Sequence, residues 1–423
     1  VPAAPRAATH HVPQGAPTIA AALAAAAEGD TVLVAPGTYL ERVLLPSNVT
    51  LRGDGPPGAV TIDAALGGPC VDVVAGGAAT RLEGCRLVRG RGGIDPGGTA
   101  GGGLRIQGGM LTVADCTFED GQAGFGGGSA ALSATVTFRR CTWLRGSATF
   151  GGGHFQSAGR LMLEDALLDG PQAVTGGGLF VTNGATATVL GAIVRGARST
   201  GDGAGAHFDA CVATLSLVRF EDTVAGGRGG GLAIDAGGQV LASYCTFLRN
   251  GAAAGGGAFH VSCDAAAPGG GLAEGGTGLA ADCALLSLTH AGILACVGAA
   301  PAAGAVTGPA VVRLRSSLVA GNASGLACLD SRSTLDVTCS DLYANGGPDL
   351  AGNCAPVTDP TNRAVDPHLC DLAGGDVGLC ANSPLVDPGC GDSEWGPASV
   401  RCGPCGDTPA APTSWGRIKV RYR

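Results

Sequence analysis

The sequence predicts an all-β chain wound as a parallel β-solenoid, with one short helix capping its start and a cysteine-rich segment near its end. Three observations carry this. Glycine-rich clusters, mostly GGG, open units at Gly101, Gly126, Gly151, Gly176, Gly203, Gly229 and Gly255, spaced 25, 25, 25, 27, 26 and 26 residues apart. Each unit holds two or three short alternating apolar stretches, with no room for a helix. The 76 glycines supply turn conformations that a residue with a Cβ resists. Short strands at that period suit one coil per unit, with coils stacked about 4.8 Å apart by parallel pairing. A leucine-rich repeat needs a regular Leu/Asn ladder, which is absent, and a propeller blade needs about 40 residues.

The elements follow in order. Residues 1–17 are Pro-rich and apolar, and read as an extended segment. The Ala-rich stretch 18–27 reads as a helix that caps the first coil, because a solenoid otherwise ends in an exposed strand edge. Thr31–Ala35, Tyr39–Leu45 and Asn48–Arg52 read as the strands of that coil. The solenoid is assigned to 18–351, with irregular coils after 255. Cys263 and Cys283 flank a Gly-rich excursion and read either as a loop disulfide or as two separate buried thiols. Coils resume near Ala284–Leu288, Val311–Leu314 and Leu335–Thr338. Residues 352–412 form a Cys- and Pro-rich segment with Cys354, Cys370, Cys380, Cys390, Cys402 and Cys405. Six cysteines allow fifteen connectivities, and the sequence does not choose among them. Residues 413–423 end in a basic strand.

Composition narrows the function. A net charge of −8 lacks the basic footprint of a nucleic-acid binder. No apolar run approaches the roughly 20 residues of a membrane span. Seventeen cysteines suit an oxidising, extracytoplasmic setting. The chain opens at Val1 and is read as a mature secreted chain whose leader has been removed. Metal-ligand spacing is poor: Cys402 and Cys405 form a CxxC, with no second CxxC or His pair. No metal, cofactor or catalytic residue is assigned.

Equivalent positions of successive units stack into ladders. Cys116 and Cys141 coincide, Cys85 precedes them and Cys245 lies further along, which reads as an inward ladder of small thiols. One position earlier stand Asp115, Arg140 and Asp165, and Asp120 sits under Arg145. Unlike charges one rung apart avoid like-charge stacking, so this ladder reads as register control on a solvated face. The competing reading is an acidic active-site groove.

The entry "TIAAALAAAAEGDTVLVAPGTYLERVLL…NVTLRG" resembles that of the pectate-lyase-like, right-handed parallel β-helix superfamily. The later stretches "SSLVAGNASGLACLDSRSTLDVTCSDLYANGG", "DPHLCD", "NSPLVDPGC" and "TSWGRIKVRYR" resemble bacterial secreted β-helix repeat proteins, a non-catalytic branch. The resemblance implies a right-handed coil, in line with the general crossover preference. It implies no particular activity, because the superfamily holds enzymes, adhesins and structural proteins.

Catalytic patterns of that superfamily are missing. The Asn-Thr-Asp, Asp-Asp and Gly-His-Gly stretches of a polygalacturonase-like site do not occur, nor does the Arg-x-Pro-x-x-Arg stretch of a pectate-lyase-like site. Residues 37–43 and 172–174 resemble two pectin-methylesterase stretches, but only a loose shadow of the catalytic-Asp stretches follows, at Glu221-Asp222-Thr223. His154, His207 and His260 recur near coil starts at drifting offsets and read as scattered strand residues. The GDG triplets at Gly53–Gly55 and Gly201–Gly203 read as plain turns.

The sharpest pattern is the last seven residues. Ile418, Val420 and Tyr422 fall on one face of a strand, and Arg417, Lys419, Arg421 and Arg423 on the other. Such a strand is expected to add to a β edge. The reading is a secreted, non-enzymatic structural protein, extracellular or on the cell surface, that self-associates head to tail as a filament or surface-layer subunit. The alternatives are a carbohydrate-active lyase or hydrolase and an adhesin for a surface glycan.

Overall fold

The computed structural model describes residues 7–95, 98–263, 284–298, 303–354, 357–386, 396 and 399–406. The chain is an all-β parallel β-solenoid of about 13 turns with almost no helix. It divides into two compact units, Val1–Thr200 with Ala210–Val212, and Gly201–Asp209 with Ala213–Arg423.

In the first unit the coils from Val71 onward visit three sheets, here A, B and C. Sheet A holds long strands such as Leu104–Ala114, Ser129–Arg139 and His154–Glu164, in parallel register Leu104↔Ser129↔His154. Sheet B holds Thr117–Glu119, Thr142–Leu144 and Leu167–Asp169. Sheet C holds Gln122–Phe125, Ser147–Phe150 and Gln172–Thr175. The glycine clusters make the passage from C back to A. Gly126 sits at φ +68°, and a Cβ on Gly127 would fall 2.4 Å from the Ser147 nitrogen and 2.6 Å from the Gly152 carbonyl oxygen. Backbone lies on both sides, so the residue after the turn has no room for a side chain.

The corners between A and B, and between B and C, also need the left-handed region; glycine fills some, such as Gly170 and Gly191, and residues with side chains fill others. Asp115 and Asp120 are at φ +55° and +52°, Arg140 and Arg145 at +51° and +52°. Asp tolerates this conformation better than Arg. The strain is offset by the ladder of backbone bonds across each corner, such as Asp115 N–H to the Arg139 carbonyl at 3.0 Å.

The interior is ordered in columns. Cys85, Cys116 and Cys141 are buried, reduced and stacked in one column, and burial pushes the Cys85 and Cys141 thiols up to about 12. Such thiols are inert packing groups. Beside them Trp143 is fully buried, stacked on Phe118 at 5.1 Å and edge-on to Phe138 at 4.9 Å.

The start of the chain holds a strand as well as a cap. Thr9–Val12 pairs in parallel with Thr31–Val34. The helix Ile19–Ala25 packs on both strands through Ile19, Ala22 and Leu23. Thr18 is its N-cap, accepting from Ala21 N–H at 3.1 Å. Glu41 reaches its N-terminus and accepts from Ile19 N–H at 3.1 Å and Ala20 N–H at 3.0 Å. A carboxylate there meets orphan donors and the positive end of the helix dipole. This corrects the expectation for Tyr39–Leu45. It is two strands, Gly37–Tyr39 and Val43–Leu44, in different sheets, because Glu41 turns out of strand geometry toward the helix.

The second unit repeats the plan with Ala206–Asp209, Leu232–Asp235 and Phe259–Val261 in sheet A. Leu232 pairs with Phe259, which places the coil start at Gly256, 27 residues after Gly229, and not at Gly255. The cysteine-rich segment docks on this unit: Leu369, Val377, Leu379 and Leu385 pack against Leu248, Leu294 and Leu318. Arg219 donates to the Gly375 carbonyl at 2.8 Å. Its six cysteines are not a closed set, since Cys354 bridges to Cys328 of a coil. Cys370 bridges to Cys402, and Cys380 to Cys405. Cys390 lies outside the described residues, as does Cys283, so the loop bridge considered for Cys263 is not described. Cys263 itself is disulfide-bonded.

Candidate functional site

The charge ladder is a set of rung-to-rung ion pairs. Arg140 holds Asp115 bidentately, Nε and Nη2 each 2.7 Å from a carboxylate oxygen. The guanidinium keeps the Asp115 carboxyl below its usual range. Asp165 stands on the next corner and adds to the field on Arg140. Arg145 bonds to Asp120 at 2.9 Å and also to Glu119. The second unit repeats the device, with Arg249 on Asp222 at 2.9 Å and on Glu221. These carboxylates are occupied by cations of the same chain. Arg140→Ala should therefore lower the thermal unfolding midpoint only slightly, because the pair is solvated and screened. A loss several-fold larger than a solvated pair contributes would mean that the Arg140–Asp115 pair itself holds the register.

A second polar group is hidden. In sheet A of the second unit, Ala206, Phe208, Leu232 and Ile234 fill the core, and the alternate residues His207, Asp209, Ala233, Asp235, His260 and Ser262 point the other way. They are buried nonetheless, His207, Asp235 and His260 at 2–4% exposure. His207 Nε2 lies 3.2 Å from Asp235 Oδ2. Ser262 donates its hydroxyl to Asp235 Oδ1. Asp209 is the rung neighbour of Asp235. Arg228 directs Nη1 at His260 Nε2 at 3.3 Å and Nη2 at Asp202 at 3.3 Å, and Thr307 Oγ1 lies 3.3 Å from the same His260 nitrogen. An arginine only donates, so His260 accepts at Nε2.

Burial pushes the Asp235 carboxyl up, against the opposing pull of His207 and Ser262. Desolvation disfavours the charged form of a carboxyl, and a raised carboxyl beside an imidazole is an arrangement that proton-transfer sites use. In the first unit the same face of sheet A carries the Arg105–Asp72 ion pair and then turns apolar, where Phe155 and Phe180 pack with Phe125 and Phe150 of sheet C.

His154, His207 and His260 recur alike near coil starts in the sequence, and the structure separates them. His154 faces the core, where Ser129 Oγ is 2.8 Å from its Nδ1. His207 and His260 share an outer column with Ala233 between them. With the coil start at Gly256 they stand at the same offset, four residues after Gly203 and Gly256, and that regularity was the available signal. The tail strand Arg417, Ile418, Lys419, Val420, Arg421, Tyr422 and Arg423 lies outside the described residues. No family model, curated protein or solved structure matches the chain.

Proposed function

We propose that the chain is a secreted structural subunit that associates head to tail through strand edges. The observation that carries this reading is the strand Thr9–Val12. Its partner among the described residues is Thr31–Val34, on one side, and Thr9 and His11 are exposed. The His11 carbonyl is taken by Gly15 and Ala16 N–H, and the rest of the half-paired edge presents backbone groups that an extended segment of another copy can satisfy. The tail Arg417–Arg423 has the alternation for that task, with Ile418, Val420 and Tyr422 on one face. Its four cations suit a surface of net negative charge, so assembly weakens with salt but is not abolished. Three disulfides among the described residues fit an oxidising compartment, and no described helix is long and apolar enough to cross a membrane.

The test images the purified chain by electron microscopy with and without residues 413–423. Linear particles that shorten or vanish on deletion support the reading. Single particles at all concentrations, or filaments of unchanged length without the tail, would sink it.

The buried cluster favours a second reading. Hydrolysis of a glycosidic bond uses two carboxyl groups, one of them with a raised pKa. Asp209 and Asp235 are rung neighbours and Asp235 is raised. A glycan panel with product analysis, comparing the chain with Asp235→Asn, decides: turnover lost in the variant with folding intact would establish an enzyme.

A further inference from the structure

The strongest unassigned feature lies in the cysteine-rich segment and goes beyond the assembly reading. Four sulfurs from three strands converge there. Cys370 stands on Leu369–Asp371, Cys380 on Asp376–Cys380, and Cys402 on Val400–Cys402, with Cys405 three residues on. The first two strands pair antiparallel and the third pairs with the second, Cys380 opposite Cys402. The sulfurs of Cys370, Cys380 and Cys402 all lie within 4.8 Å of one another. Cys402 Sγ is 3.5 Å from Cys380 Sγ, to which it is not bonded, and 3.5 Å from Cys405 Sγ.

We propose that these four cysteines form a tetrathiolate site for a thiophilic divalent cation such as Zn²⁺, which exchanges with the pair of disulfides. Tetrahedral zinc–thiolate bonds of about 2.3 Å place sulfurs roughly 3.8 Å apart, close to the two non-bonded separations. The CxxC of Cys402 and Cys405 supplies two ligands at the usual spacing, and the hairpin supplies the second pair that sequence spacing hid. The frame does not depend on the bridges. Leu369, Val377, Leu379 and Leu385 anchor the hairpin on the solenoid. Asn382 clamps Cys405 from both sides, donating to its carbonyl at 2.8 Å and accepting from its N–H at 2.9 Å. Cys370, Cys402 and Cys405 are half-buried, which leaves a route for the ion.

The exchange balances with a dithiol or phosphine as reductant. Each disulfide takes two electrons and two protons and opens to two thiols. One M²⁺ then binds the four sulfurs and releases four protons, which makes binding stronger as pH rises. Reoxidation by two equivalents of a small-molecule disulfide, which leaves as four thiols, removes the four electrons, expels the ion and restores Cys370–Cys402 and Cys380–Cys405.

The test reduces the full chain with a phosphine under anaerobic conditions and titrates it with Co²⁺. One Co²⁺ per chain, with the visible bands and thiolate charge-transfer band of a tetrahedral tetrathiolate, is expected, and Zn²⁺ should bleach it. Cys402→Ser should lose that spectrum, while Cys116→Ser in the core and Cys354→Ser in the neighbouring bridge keep it. Alkylation with mass mapping on the unmutated chain guards against a variant that fails to fold. Zn²⁺ should protect Cys370, Cys380, Cys402 and Cys405, and leave Cys328 and Cys354 open. A Co²⁺ spectrum unchanged in Cys402→Ser, or equal labelling of all six with and without Zn²⁺, overturns the site.

Discussion

Trp143→Ala is expected to remove about 3–5 kcal/mol of stability from the first unit, read by urea unfolding with circular dichroism. The indole is fully buried between Phe118 and Phe138, and its Nε1–H donates to Ser129 Oγ at 2.9 Å. Truncation leaves a cavity that neighbouring rungs cannot close, because their strands are locked in register. Trp143→Phe should keep most of the packing and forfeit about 1 kcal/mol for the lost donor. Stability in a solenoid is a sum of local and nearest-neighbour terms, so the damage should stay local. Hydrogen exchange should quicken across 104–169 and stay slow across 285–343. Uniform loss of protection along the chain would refute the local account.

The coil plan was legible in the sequence because the passage from sheet C to sheet A selects glycine, with alanine admitted at Ala204 and Ala258. Gly126 requires a positive φ and Gly127 touches backbone on two sides, so selection for the turn writes a visible GGG. The other two corners left no such mark. They also need the left-handed region, but Asp115, Arg140, Asp120 and Arg145 occupy them, and the strain is carried by cross-rung bonds that no local window contains. The same limit hid the polar cluster. His207, Asp235 and Ser262 are separated by 28 and 27 residues, and the register alone brings them together. A one-residue misplacement of the coil start, at Gly255 instead of Gly256, was enough to make the histidines drift. The four-sulfur knot was missed because its second ligand pair, Cys370 and Cys380, is joined by a hairpin and not by a CxxC. Glu41 shows the same effect in small: its role is set by the helix it caps, 21–22 residues away, and not by the strand pattern around it.

Acid should weaken the first unit well above the pH at which its surface carboxylates titrate. His154 is wholly buried, and burial pulls its pKa from 6.5 down to about 4. Its Nδ1 lies 2.8 Å from Ser129 Oγ, which accepts from Trp143 Nε1–H, and the cost of a second ring proton is the burial of the charge it brings. Between pH 6.5 and 4 the unfolded chain binds a proton at this residue that the folded chain refuses. The stabilisation is therefore complete above pH 6.5 and is lost as pH falls toward 4, by about 3 kcal/mol. Asp63 and Asp115, held below 3.8 by Arg89 and Arg140, contribute only at lower pH and leave that window clear. In the second unit Asp341 has the opposite sign. Burial raises its carboxyl to about 7, so its contribution is full below pH 3.8 and lost as pH rises through 7. Hydrogen exchange across pH 4–7 should show the first unit loosening with acid while the coil around Asp341 tightens. His154→Leu is the decisive variant, because Leu104 and Leu179 already occupy the same column. It should flatten the first unit's slope between pH 4 and 6.5, and Asp341→Asn should flatten the second's. An unchanged acid slope in His154→Leu would show that another group carries it.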